Sequence, residues 1–136
     1  MQTFITDLDY YKSAQTIDPK RLGNQYYREG MTLLNGGWPN HPASRMWQPY
    51  LFSLTSYLLA CQFELQRRGR WYGKTAVRLR KIRKRLTNTG FPKWLNQDFC
   101  SSHRSNLLRK DFSWYKQFGW LEPDNLPYIW PRKETL

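Results

Sequence analysis

One stretch constrains the fold of this chain more than any other. Between residues 50 and 68, Tyr50, Leu51, Leu54, Leu58, Cys61 and Leu65 recur at spacings that put them on roughly one helical face. The spacing predicts a central core helix over 50–68.

The segments around it carry helical punctuation. Asp18 is a candidate N-cap with Pro19 at the first helical position, where a missing N–H costs least. That helix is expected to run past Glu29 to Asn35 and to stop at Gly36 and Gly37. Gly23 and Gly30 each weaken it by roughly 1 kcal/mol relative to Ala, which points to close approach by another helix, an N-terminal arm or a ligand. A second helix restarts with Asn40 or His41 as cap and Pro42 following, and Pro49 kinks or restarts it. Ala76, Leu79, Ile82 and Leu86 give "GKTAVRLRKIRKRL" a narrow apolar stripe, and shorter helices are expected over 97–110 and 112–118. Residues 2–6 fit an arm better than a sheet, and "PDNLPYIWP" is too proline-rich for helix or strand. The expected fold is all-α: a compact single-domain helical bundle over 1–136, with an N-terminal arm and an irregular proline- and aromatic-rich tail. Trp38 and Trp47 are assigned to its core.

Charge narrows the function. Lys and Arg number 22 against 10 Asp and Glu, a net charge of +12. A domain this basic repels itself, and a polyanionic partner is the usual compensation. Nucleic acid is the first candidate and an anionic membrane the second. Cys61 and Cys100 lack CxxC spacing, and His41 and His103 are scattered, so no metal pattern emerges and no cofactor is expected. The opening "MQTFITDLDYY" lacks the regions of a signal peptide, and no run approaches the roughly 20 apolar residues of a membrane span. A cytoplasmic monomer is expected, nucleoid-associated or in a phage-infected host cell.

Residues 67–85 contain ten Lys or Arg and no acid. Solvated helix faces usually mix signs, whereas this run suits phosphate contact, with Arg80, Arg83 and Lys84 as its candidates. Its slim apolar side is committed to the core, which places lipid binding well behind.

The most specific stretch is "SSHRSNLLRKDFSWYKQFGWLEPDNLPYIWP", residues 101–131. It resembles the ending of the pyrimidine dimer DNA glycosylase family, the bacteriophage endonuclease V group and its bacterial and archaeal relatives. "MQTF" with "KSAQTIDPKRLGNQ" resembles the family's start, and "GWPNHPASRMW", residues 37–47, resembles its N-H-P-A…M-W block. In many relatives a glutamate sits three residues after the glutamine of an R-L-G-x-Q pattern. Here that position is Arg28, and Glu29 comes one later.

The resemblance implies a helical domain without metal that acts on damaged double-stranded DNA. It also implies a reaction in which the terminal amine attacks C1′, displaces the base, forms an imine and cuts the strand by β-elimination. The helix carrying Glu29 matches the family helix that holds the catalytic glutamate, which makes Glu29 the candidate for that role. Because the bulky Gln2 normally leaves methionine in place, the nucleophile is the Met1 amine. An α-amine has an unperturbed pKa of about 8, so a useful fraction is free at neutral pH. A carboxylate stabilises oxocarbenium character and moves protons during elimination. Arg21 and Arg28 flank Glu29 as candidate phosphate clamps.

Other candidates keep two readings each. Arg104, Arg109 and Lys110 meet phosphates or are helix-surface charge. Trp114, Tyr115 and Trp120 stack on a base or wedge into the duplex, or pack in the core. His103 is a buried hydrogen-bonding histidine or a general base, and His41 a cap or a site residue. Gln15, Asn24 and Gln25 are able to reach base edges, with nothing to single one out. The leading expectation is a DNA repair glycosylase with lyase activity on pyrimidine lesions. The alternatives are a glycosylase for another modified pyrimidine and a non-catalytic basic DNA-binding protein.

Overall fold

The computed structural model describes residues 2–131, and Met1 and 132–136 lie outside the described part. Among the described residues the chain is helical and contains no strand. Helix α1, Tyr10–Thr16, starts at Asp9, whose side chain accepts from the Tyr11 and Lys12 amides. α2, Pro19–Asn24, is capped by Asp18 with Pro19 in its first turn, as the sequence predicts. It runs without a break into a π-helical turn, Gln25–Gly30, and then α3, Met31–Leu34. His41 caps α4, Pro42–Trp47, its Nδ1 accepting from the Ala43 amide at 3.0 Å. Pro49 falls in a single 3-10 turn, Gln48–Tyr50, that re-aims the chain into α5, Leu51–Arg67. α6, Gly73–Lys84, α7, Gln97–Lys110, and α8, Phe112–Tyr115, follow, and a 3-10 turn at Lys116–Phe118 closes the helical part.

The apolar stripe of α5 is the centre of the core: Leu54, Leu58, Cys61 and Leu65 are buried, with Trp47, Tyr57, Leu22 and Phe99 around them. α1 packs chiefly on α5, and the π-helical turn, α2 and α6 touch it as well. Gly30 explains the closeness of one contact. A Cβ there would lie 2.3 Å from a Leu58 methyl and 2.7 Å from the Gln25 carbonyl, so only glycine fits. At the far end of α5, the buried Glu64 carboxylate takes Arg67 at 2.7 Å and Arg68 at 2.8 Å. Arg68 also donates to the Ala14 and Gln15 carbonyls, tying α5 to the last turn of α1.

The arm, residues 2–6, is buried although it pairs with no strand. Its backbone polar groups are satisfied by side chains from across the fold, as burial demands. The Phe4 amide donates to Gln25 Oε1, the Ile5 amide to His103 Nδ1 at 3.0 Å, and the Thr6 amide to Ser13 Oγ at 2.9 Å. The Phe4 carbonyl accepts from Tyr57 at 2.9 Å, and Trp47 Nε1 donates to Thr3 Oγ1 at 2.9 Å. The irregular tail is held along α7 by side chains: Ser105 Oγ donates to the Pro123 carbonyl and accepts from the Leu126 amide, and Asn106 donates to the Leu126 carbonyl.

Trp38 departs from the sequence expectation. Trp47 is fully buried, but Trp38 is 52% exposed. The Gly36–Gly37 stop turns the chain outward, so Trp38 leaves the core at the bend before α4.

Candidate active site

A cavity of about 320 Å³ opens where the arm, the π-helical turn, the end of α7 and the tail meet. Gln2 and Phe4 line it from the arm, Arg21, Asn24, Gln25 and Glu29 from the helix, and Lys110, Tyr128 and Trp130 from the C-terminal third. The wall thus combines one carboxylate with two cations and three rings.

Glu29 reaches this wall through the π-helical turn. Four residues separate Gln25 from Glu29, close to one helical turn, so both side chains face one cavity. The carboxylate is half-buried. Burial raises its pKa above the ordinary carboxylate value, and Arg28 and a hydrogen bond from the Gln2 backbone amide oppose that rise in part. A carboxylate poised this way sits closer to neutrality than a surface glutamate, which suits proton transfer. Gln2 is one peptide bond from Met1, whose own position lies outside the described residues. Gln25 is buried with Oε1 fixed by the Phe4 amide, while its Nε2 finds no partner among the described residues.

The sequence candidates separate by what their polar atoms already do. Arg21 lines the cavity and pairs with Asp18 at 3.2 Å, keeping part of its guanidinium in solvent. Lys110 is exposed at the cavity rim, and Arg28, Arg80 and Lys84 are exposed with no ion-pair partner among the described residues. Arg83 is engaged internally. Its guanidinium donates to Thr55 Oγ1 at 2.6 Å and Ser56 Oγ at 2.9 Å and lies 4.0 Å over the Phe52 ring. Arg104 spends its donors on Glu122, Ser101 and the Thr6 carbonyl. Arg109 binds the Asp124 carbonyl and the Asn106 side chain. These last three brace the fold in the structure.

The aromatic candidates at the C-terminal end are packed. Tyr115 is fully buried and donates to Asp18 at 2.5 Å. Trp120 stacks on Tyr115 and Phe118, and Trp114 donates to the Thr16 carbonyl beneath the Arg68 guanidinium. His103 is the buried hydrogen-bonding histidine of the two readings: burial among Phe4, Phe99 and Tyr128 pushes its pKa down to about 3. With Nδ1 accepting from Ile5, its proton resides on Nε2. His41 is a helix cap and stands edge-on to Trp130 at 6.1 Å, bracing a ring of the cavity wall. Sequence reasoning misses Tyr128 and Trp130, because a proline-flanked tail has no periodicity to reveal a facing surface.

No described helix is long and apolar enough to cross a membrane, and no cluster of three potential metal ligands occurs among the described residues. A family model for pyrimidine dimer DNA glycosylase matches residues 1–80, which carry the arm, the π-helical turn and most of the basic helix. Comparisons with curated proteins and with solved structures return no match.

Proposed function

The chain belongs to the pyrimidine dimer DNA glycosylase family, and from that premise we propose that it excises damaged pyrimidines from duplex DNA and then cuts the strand as a lyase. The observation that carries this reading is the half-buried Glu29 carboxylate, held by the Gln2 amide in a cavity that also presents Arg21 and Lys110.

In this mechanism the Met1 amine attacks C1′ of the damaged nucleotide, and the base leaves with the electrons of the glycosidic bond. The C1′–O4′ bond then opens as the nitrogen lone pair forms the imine. Glu29, as the carboxylate, stabilises the positive charge that develops at C1′, takes the proton that the newly bonded amine releases, and passes it to O4′ as that bond opens. Loss of the C2′ proton to the same carboxylate expels the 3′ phosphate and breaks the strand. Arg21 and Lys110 hold the phosphates on either side of the opened sugar, and Arg28, Arg80 and Lys84 extend the cationic track along the duplex.

Borohydride reduction on an oligonucleotide with a single abasic site tests this directly, using protein whose terminal residue has been defined by mass spectrometry. Reduction converts an imine into a stable crosslink, expected at the Met1 amine. Tight, salt-sensitive binding without any crosslink would refute the lyase mechanism and leave a DNA-binding protein. A positive result justifies a screen of damaged bases, with cyclobutane dimers first and other modified pyrimidines after them.

A further inference from the structure

Trp38 is the one non-glycine residue with a positive φ, 51°, among the described residues. A bulky side chain in that region is a true outlier, and such outliers persist only where the surroundings enforce them, most often at ligand-binding sites. The surroundings here do enforce it. The Gly37 amide donates to the Thr32 carbonyl at 2.9 Å, Ser44 Oγ donates to the Gly37 carbonyl at 3.0 Å, and the His41 amide donates to the Trp38 carbonyl at 3.0 Å. The backbone is therefore pinned on both sides of an indole that is half in solvent and stacks on no other ring among the described residues.

What surrounds the turn identifies its partner. Gly37, the residue before Trp38, lines two clefts. One contains Arg28 and Arg78, and the other contains Arg45. All three arginines are exposed and none has an ion-pair partner among the described residues. The turn is also anchored to the cavity wall, because His41 caps α4 directly after it and stands against Trp130. A fixed, exposed aromatic ring, next in the chain to a residue lining clefts that hold unpaired arginines, has the chemistry to meet a base between its phosphates.

We propose that Trp38 stacks on a nucleobase next to the damaged site, with Arg28, Arg45 and Arg78 on the flanking phosphates, and that it holds the local duplex unstacked while the sugar enters the cavity. This rests on the DNA repair reading above. Prestraining the backbone means the ring does not reorganise on binding, so the contact retains most of its stacking energy.

The test uses the full chain and a duplex carrying one tetrahydrofuran abasic analogue, which binds without reacting, with 2-aminopurine in the opposite strand as the partner of the neighbouring base, where opening of the stack brightens it without placing it against the indole. Trp38→Gly removes the ring and relaxes the left-handed backbone, so it is expected to melt at the same or a higher temperature. Its affinity for the damaged duplex should fall by about tenfold. The salt dependence should stay as in the parent, because every phosphate contact remains in place. The parent should brighten 2-aminopurine on binding, Trp38→Phe should retain most of that signal, and Trp38→Gly should lose it. Equal affinity and equal brightening with Trp38→Gly would overturn the proposal, as would a Trp38→Phe variant as defective as Trp38→Gly. A parent protein that brightens the probe yet forms no imine on a natural abasic site refutes the lyase mechanism and leaves this contact standing.

Discussion

Gln25 and Glu29, four residues apart in a π-helical turn, face the same cavity. Gly30, the last residue of that turn, lets the backbone press against Leu58 of α5. Gly30→Ala is therefore expected to cost roughly 1–3 kcal/mol through overpacking. It should also reduce strand cleavage more than DNA binding, since the displaced turn carries Glu29. Urea unfolding together with single-turnover cleavage of an abasic duplex would check both effects. Unaltered stability would show that Leu58 yields readily.

Glu29→Gln should abolish imine formation and elimination while leaving DNA affinity intact or slightly higher. The same change should stabilise the protein at neutral pH. The folded-state pKa of Glu29 is raised, so the carboxyl's contribution is fully present below its unfolded pKa and is lost as pH rises through the folded one. Thermal melting at pH 7 and pH 4 measures this: the variant should gain over the parent at pH 7 and lose that advantage at pH 4. A less stable variant at pH 7 would contradict the sign.

His103 predicts acid lability. Its pKa falls to about 3 in the folded state against about 6.5 unfolded. Stability is thus intact above pH 6.5 and is lost as pH falls toward 3, by up to about 1.4 kcal/mol per pH unit. His103→Gln, which still offers an acceptor to the Ile5 amide, should flatten the urea stability profile between pH 7 and pH 5. An equally steep profile would assign the acid lability to other groups.

The cations of α6 should divide by exposure. Neutralising Arg80 and Lys84 together should weaken binding to all duplexes and lower the salt slope by about 1 for each phosphate that is no longer neutralised. Arg83→Gln should instead destabilise the fold by roughly 1–3 kcal/mol, since it strips a charged donor from Thr55 and Ser56. Salt titrations of filter binding, set beside melting curves, separate the two classes.

That division also marks where the sequence stops being legible. The central helix, the Asp18–Pro19 start, the His41 cap and the 97–110 helix all follow from spacing and capping chemistry, which are local. α1 is absent from the sequence expectation because "YYKSAQT" buries only Ser13 and Ala14 and so shows no apolar period. Counting charges cannot distinguish Arg80 from Arg83, or Lys110 from Arg104, since the difference is a partner far along the chain. Trp38 looks like a core residue to any hydropathy argument, and only the turn geometry sends it outward. The location of Glu29 is legible, but the π-helical turn that carries it is not, and the tight packing of Gly30 is against Leu58, 28 residues away.

The cavity is assembled from both ends of the chain. Gln2 and Phe4 meet Lys110, Tyr128 and Trp130, and the arm is locked at Ile5 by His103. The Glu29 carboxylate is therefore separated from Tyr128 and Trp130, on the opposite wall, by about a hundred residues of chain. On the reading proposed above, a chain cut short before Lys110 keeps the cations of α6 but lacks this wall. Cleavage, as proposed, then needs both ends of residues 2–131, whereas contact with DNA does not.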